Sequence, residues 1–201
     1  MDVGLLNWKA MRQFLHLEIE NLHKGSRLRV LRFVTASAVA MAATALPVAS
    51  AALLAASAAA GCANIPDREA RLQCFASVPE ITAKVGRVVD GDTMDICIGT
   101  SCIRIRLCGI DAPERDEAGG TEATEALRAL ASRQTVSCIP VGQGTVCDGR
   151  SRATNRGRLV AQCFLGDADI GGTMVEGGLA CDWQKSTGGH YSRTLYGQAC
   201  R

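Results

Sequence analysis

From Ile81 onward the chain alternates apolar and polar residues in short runs. Ile81 to Val89 reads as a strand that stops at Asp90-Gly91-Asp92. Met94, Ile96 and Ile98 then alternate with Thr93, Asp95 and Cys97. Ile103, Ile105 and Leu107 alternate with Cys102, Arg104 and Arg106. A period of two places each set on one face of a strand. Gly99-Thr100 lies between the two runs and suits a two-residue turn with glycine first. That turn fixes a register: Ile98 opposite Ser101, Cys97 opposite Cys102, Asp95 opposite Arg104, Thr93 opposite Arg106. The pair beside the turn is hydrogen-bonded, so Cys97 and Cys102 fall at a non-hydrogen-bonded site. Cα atoms there stand about 4.5 Å apart, within disulfide reach. Asp95 and Arg104 become a cross-strand ion pair. Arg106 leaves the apolar face and lies beside the turn that carries Asp92.

Gly109 to Pro113 breaks the strand. Glu122 to Ser132 has helical spacing and packs through Ala123, Leu127 and Leu130. Thr135–Val141 and Leu159–Leu165 are further strands, separated by a long polar loop, Gly142 to Arg156. Cys138 and Cys163 sit in these neighbouring strands and are candidates for a bridge. Ile170 to Glu176 is a short helix closed by Gly177-Gly178. The tail from Gly189 has the pattern of a last helix, joined back through Cys200. Upstream, Asp67 to Phe75 is a short helical pattern with Pro66 at its start, and Cys62 and Cys74 are placed to clip it. Five short strands with two or three helices predict an α+β fold that is mostly β: a disulfide-linked, five-stranded antiparallel barrel of oligonucleotide-binding (OB) type.

The composition changes at Cys62. Residues 33–61 carry no charge and follow Lys24, Arg27, Arg29 and Arg32. A basic n-region before an apolar stretch, with Ala49-Ser50-Ala51 and Ala58-Ala59-Ala60 as small-residue cleavage patterns, is an export signal. The stretch also exceeds the ~20 apolar residues that span a bilayer, so membrane attachment through residues 33–61 is the alternative. All ten cysteines lie at or after Cys62, as in a disulfide framework built in an oxidising compartment. No two stand in C-x-x-C spacing, which disfavours zinc. The chain thus divides into a leader with signal peptide or anchor (1–61), a cysteine-containing lead segment (62–80) and a main domain (81–201). It is expected to be periplasmic or secreted, and monomeric.

The formal charge of +2 comes from the leader: from Cys62 onward 16 basic residues face 17 acidic ones. A neutral surface does not point to tight nonspecific attraction to nucleic acid, so any phosphate affinity must be local, from a few arginines and a metal. Only His190 lies outside the leader region, which leaves little material for a histidine base or paired histidine ligands.

Three segments remain to be explained: VVDGDTMDI (Val88–Ile96), IRIRLCGIDAPE (Ile103–Glu114) and RGRLVAQC (Arg156–Cys163). Asp92 and Asp111 end adjacent strands, so their carboxylates can converge on one hard cation, with the Ala112 carbonyl as a further oxygen. Glu114, in the same Ala-Pro-Glu turn, is placed to orient or deprotonate a water. Arg106 and Arg158 supply two guanidinium forks for a phosphate. Trp183 and Tyr191 offer either a stacking face for a base or a core or capping role.

Together these segments resemble the staphylococcal nuclease (thermonuclease) family, whose signatures are a D-G-D-T turn, an R-x-x-x-x-D-x-P-E run and a G-R pair opening a later strand. The resemblance runs from Ile81 to about Arg201. GLACDW (Gly178–Trp183) and GGHY (Gly188–Tyr191) are similar to elements of exported bacterial members. The resemblance implies a calcium-dependent phosphodiesterase acting on DNA or RNA and leaving 3′-phosphates. It implies catalytic roles for Arg106, Glu114 and Arg158, and Ca2+ held by Asp92, Asp111 and Ala112, with Asp90 orienting. The chain departs from the family at Ala112, where Thr is usual. It departs again at Thr154, Asn155 and Arg156, where an acidic residue, a basic residue and Tyr often stand. Two other classes compete: an inactive binding module on the same barrel, and a structural, disulfide-rich envelope protein.

Overall fold

The alternating runs close into a barrel through one parallel pair of strands. The computed structural model describes residues 57–193 and 197–200. Its elements are α1 (Arg68–Ser77), β1 (Ile81–Val88), β2 (Thr93–Ile98), β3 (Ser101–Leu107), β4 (Ile110–Asp111), α2 (Gly120–Ala131), β5 (Thr135–Pro140), β6 (Thr154–Asn155), β7 (Arg158–Leu165), β8 (Ala168–Asp169), α3 (Ile170–Glu176), β9 (Cys181–Asp182), α4 (Gln184–Thr187) and a 3-10 turn, Tyr191–Arg193. The leader expected over 1–61 and its cleavage or anchoring segment lie outside the described residues as far as residue 56. Among the described residues no helix is long and apolar enough to cross a membrane.

The barrel runs β3-β2-β1-β5-β7, all antiparallel, and β3 then pairs with β7 in parallel to close it. Closure leaves no free edge between these five strands. The β2–β3 hairpin has the register that Gly99-Thr100 dictates, from Ile98↔Ser101 through Cys97↔Cys102 and Asp95↔Arg104 to Thr93↔Arg106. A register shift between Val85 and Arg87 bends β1. Val85, Met94, Ile96, Ile105, Leu107 and Leu159 are buried in the core. α2 covers it with Ala123, Leu127 and Ala131, and α3 with Met174 and Val175. α3 ends in a Schellman motif: Leu179 N–H donates to Met174 C=O and Gly178 N–H to Val175 C=O, both at 3.0 Å.

α1 joins the same core through Leu72 and Phe75. Its N-cap is Asp67, whose carboxylate accepts the Ala70 N–H at 2.8 Å, so Pro66 precedes the helix instead of opening it.

The ten cysteines form five disulfides. Cys62–Cys74, Cys97–Cys102 and Cys138–Cys163 agree with the sequence pattern, and the Cys97 and Cys102 Cα atoms are 4.1 Å apart; Cys200, expected to tie the tail back to a partner left open, is bonded to Cys181. Cys108–Cys147 ties the end of β3 into the long polar loop, Gly142 to Arg156, a pairing for which the sequence pattern carries no signal. That loop is therefore anchored: Cys147 is fully buried, and β6 pairs with the start of β7.

The helix expected from Gly189 is not formed among the described residues; residues 194–196 and 201 lie outside them. One 3-10 turn stands in its place because buried Asp182 captures the local donors. Its carboxylate accepts the Ser192 N–H at 2.8 Å and the Thr187 hydroxyl. Ala199 then bridges to Asp182, and Cys200 is bonded to Cys181. The break at Gly109–Pro113 also contains a strand, since β4 pairs with β9.

Candidate active site

Barrel closure assembles the site. β3 pairs with β7 so that Arg106 stands opposite Val160, two residues past Arg158. Side chains two apart share a strand face, so Arg158 and Arg106 face the same side, about 7 Å apart along the strands. At the other side of β3, Thr93 opposes Arg106 and brings Asp92 with it. Leu107 N–H donates to Asp92 C=O at 2.8 Å and pins the Asp90-Gly91-Asp92 turn to the end of β3. The Asp90 carboxylate accepts the Asp92 N–H at 3.0 Å, which braces the turn as expected for that residue.

Asp92 is 6% exposed and fully engaged. Its Oδ1 accepts the Thr93 hydroxyl at 2.9 Å, and its Oδ2 accepts the Ala112 N–H at 3.0 Å. Arg106 Nη1 lies 2.7 Å from that same Oδ2, and Arg106 Nη2 lies 2.8 Å from Asp111 Oδ1. One guanidinium thus spans both acidic side chains. Nη1 also donates to Leu107 C=O at 3.2 Å, which fixes the plane of the fork. Arg158 reaches the cluster from β7, with Nη1 3.5 Å from the Thr93 oxygen and Nε 3.4 Å from the Asn155 carbonyl. Burial pushes the Asp92 carboxyl up from its ordinary 3.8 to about 7, against Arg106, the Ala112 N–H and the Thr93 hydroxyl, while Asp90 adds to the rise.

A cavity of about 690 Å³ opens above this cluster, lined among others by Arg106, Asp111, Glu114, Arg158, Arg156 and Trp183. Asp92 and Ala112 are not on its wall. Asp92 lies beneath Arg106. Glu114 is exposed at the rim, and its turn is tight. The Glu114 N–H donates to Glu117 Oε2 at 2.9 Å, and Glu117 N–H donates back to Glu114 C=O at 2.9 Å. A Cβ at Gly120 would stand 1.7 Å from the Glu114 carbonyl oxygen, so only glycine lets α2 start this close to the catalytic-type turn.

The structure therefore brings together all six residues picked from the sequence: Arg106, Glu114 and Arg158 on the cavity, Asp92, Asp111 and Ala112 under and beside it. The donor set for a cation is two carboxylates and a peptide carbonyl, all hard oxygens, which fits calcium or magnesium and not zinc. Asp111 also lies near Cys181 and Cys200, but those sulfurs are joined to each other and offer no thiolate. Tyr191 resolves as a core residue: it is buried and its hydroxyl donates to Asp169 at 2.8 Å. Trp183 is 41% exposed on the cavity wall. Thr93 and Arg152 were missed. Thr93 carried a signal, as the residue that completes the D-G-D-T turn. Arg152 carried none, since a cation in a polar loop is ordinary.

Residues 104–198 match the family described as Staphylococcal nuclease homologue. That stretch of the chain, just under half of it, is therefore similar to a staphylococcal nuclease domain. It is similar to a protein of Shigella flexneri named Micrococcal nuclease, 40% identical over 70 residues, or 33% of this chain and 40% of that protein. It is also 38% identical over 102 residues to an Uncharacterized endonuclease of Escherichia coli O157:H7, covering 50% of this chain and 60% of that protein. Protein ParB of Escherichia coli is 40% identical over 57 residues, with 28% of this chain and 32% of that protein covered. The chain thus spans between about a third and three-fifths of the length of these relatives. The family match begins at Arg104, so Asp92 enters the nuclease-like site through the hairpin register and not through the matched stretch.

Proposed function

We propose that this protein is a calcium-dependent phosphodiesterase that hydrolyses DNA or RNA, exported to the periplasm or the medium. The observation that carries the proposal is Arg106 spanning Asp92 and Asp111 at the floor of a cavity whose walls hold Glu114 and Arg158. Likeness to proteins named as nucleases supports the same reading. Five disulfides support export, since such bonds persist in oxidising compartments.

Asp92, Asp111 and the Ala112 carbonyl would hold the cation, which would supply Lewis-acid polarisation of the phosphate. Glu114 accepts the proton of the attacking water. The water oxygen bonds to phosphorus, and the bond to the 5′-oxygen breaks. The products are a 3′-phosphate and a 5′-hydroxyl, the latter protonated from solvent. Arg106 and Arg158 present forks to the non-bridging oxygens as charge gathers there. Asp90 holds the Asp92 turn in place.

The test is digestion of single-stranded DNA and of RNA by the oxidised chain, with calcium or with chelator, beside Glu114→Gln. Cleavage with calcium that chelator abolishes and Glu114→Gln slows by about 10²–10⁴ is the expected result. Equal cleavage with and without chelator, or none in either, overturns the proposal.

A further inference from the structure

A second, smaller cavity of about 220 Å³ lies on the other side of the β6–β7 turn, lined by Arg68, Arg71, Leu72, Asp95, Arg104 and Gly157 among others. Three guanidinium groups face one carboxylate there. Asp95 is taken by Arg104, through Nε at 2.8 Å and Nη2 at 3.2 Å. The ion pairs among the described residues include neither Arg68 nor Arg71. Each is held instead by a backbone carbonyl: Arg68 Nη2 donates to Gly157 at 2.9 Å, and Arg71 Nη1 to Ile65 at 2.9 Å. A guanidinium carries five N–H groups, so both forks keep donors for an anion while their position is fixed.

The two cavities are continuous in the chain. Gly157 lines the smaller one, and its neighbours Arg156 and Arg158 line the larger. A Cβ at Gly157 would stand 3.0 Å from Arg68 Nη2, so the guanidinium lies directly against the turn that separates the cavities. On the other side they share β3, where Arg104 and Arg106 alternate with the buried Ile103, Ile105 and Leu107. They are two residues, about 7 Å, apart on one face. Beyond Cys62 the chain is close to neutral overall, so this concentration of guanidinium is local.

We propose that Arg68, Arg71 and Arg104 form a second phosphate-binding pocket, which takes the sugar–phosphate backbone of a substrate strand already seated in the larger cavity. The ligand is the phosphate and not the base, because forks line the pocket and no aromatic ring does. α1, clipped by Cys62–Cys74 and seated on the barrel core, is then part of the substrate surface. The pocket rests on the nuclease reading, because its strand is the one that reading places in the larger cavity.

The experiment measures binding of a labelled single strand of roughly ten nucleotides to the full oxidised chain carrying Glu114→Gln, across a salt series, and then turnover with Glu114 restored. Combining Arg68→Ala with Arg71→Ala is expected to weaken strand binding on the order of tenfold and to flatten the salt slope by about 1.4, two phosphates at about 0.7 each. KM for the long strand rises while a dinucleotide diester is cleaved as before. Arg68→Lys, which keeps the charge, retains most of the slope. Strand binding of unchanged affinity and slope in the double variant overturns the pocket alone. Equal losses on the dinucleotide and the long strand also overturn it, since they report damage to the β6–β7 turn. Failure of the Glu114→Gln chain to bind any strand overturns the pocket and the nuclease reading together.

Discussion

The Arg106 guanidinium meets the buried Asp92 carboxylate at 2.7 Å and turns its other nitrogen to Asp111 at 2.8 Å. The Arg106 and Asp92 side chains are 18% and 8% exposed, so water screens their pairing only weakly. Removing one partner of such a pair leaves a buried charge uncompensated. Arg106→Ala is therefore expected to destabilise the chain by about 3–5 kcal/mol in chelator, read by urea unfolding. Under the proposed function calcium is expected to recover part of that loss, because it would satisfy the same carboxylates. Adding Asp92→Asn to Arg106→Ala costs less than the sum of the two, by about 0.5–3 kcal/mol. Strict additivity would mean that the two groups are not coupled.

Asp92 also sets a pH dependence. Its folded carboxyl is raised from 3.8 to about 7 by burial. Below pH 3.8 folded and unfolded chains both hold the proton. Between 3.8 and about 7 the folded chain keeps it while the unfolded chain releases it, so stability falls as pH rises through this window and levels off above it. At the proposed cation site, uptake would displace the same proton, so calcium affinity is expected to rise across the window. Asp148 acts with the opposite sign. Partial burial works to raise it, but the Thr145 hydroxyl and the N–H groups of Gly142, Gly144 and Thr145 hold it below its ordinary value. The measurement is therefore the difference in melting temperature between wild type and Asp92→Asn, in chelator, across pH. A flat difference between pH 4 and 7 would refute the assignment.

Glu114 tests the chemistry apart from the fold. It is exposed, and its side chain makes no hydrogen bond among the described residues. Glu114→Gln is expected to lower kcat by about 10²–10⁴, while stability moves by no more than about 0.5 kcal/mol. Chemical denaturation and steady-state kinetics on one preparation decide it. A large stability loss would give Glu114 a structural role.

Local pattern made much of this site legible. The β2–β3 register follows from period-two alternation and a two-residue turn, and that register alone carries Thr93 and Asp92 to Arg106. Asp111, Ala112 and Glu114 follow within eight residues of Arg106, so one turn delivers them. Arg158 was legible only through the Gly-Arg motif, because its approach depends on the parallel closure between β3 and β7. Closure joins residues about fifty apart and leaves no periodic trace. The tail failed for a related reason. Its apolar spacing suits a helix, but Asp182 captures the Ser192 N–H from ten residues away. Tertiary hydrogen bonds override local propensity in this way. Cys108–Cys147 was hidden because a cysteine in a Gly- and Thr-rich loop carries no pairing signal of its own.

That disulfide yields the last prediction. Cys108 follows β3 directly, and Cys147 is buried within the segment that leads to the cavity wall at Ser151–Arg156. The bond spans 39 residues, and closing a loop of that length stabilises the fold by about 4 kcal/mol in the chain-entropy account. The turn inside it holds independently, because Asp148 accepts the N–H groups of Gly142 and Gly144. Replacing both cysteines by alanine should therefore leave the turn intact but loosen its attachment to the barrel. Arg152 and Arg156, on the wall of the cavity proposed to take the strand, are then less firmly placed, while Arg106 and Glu114, placed by β3 and the tight turn before α2, keep their geometry. KM is expected to rise several-fold with a smaller fall in kcat, and limited proteolysis to open the chain between residues 142 and 156. A lowered melting temperature with unchanged KM would show that the bond stabilises the barrel without positioning the wall.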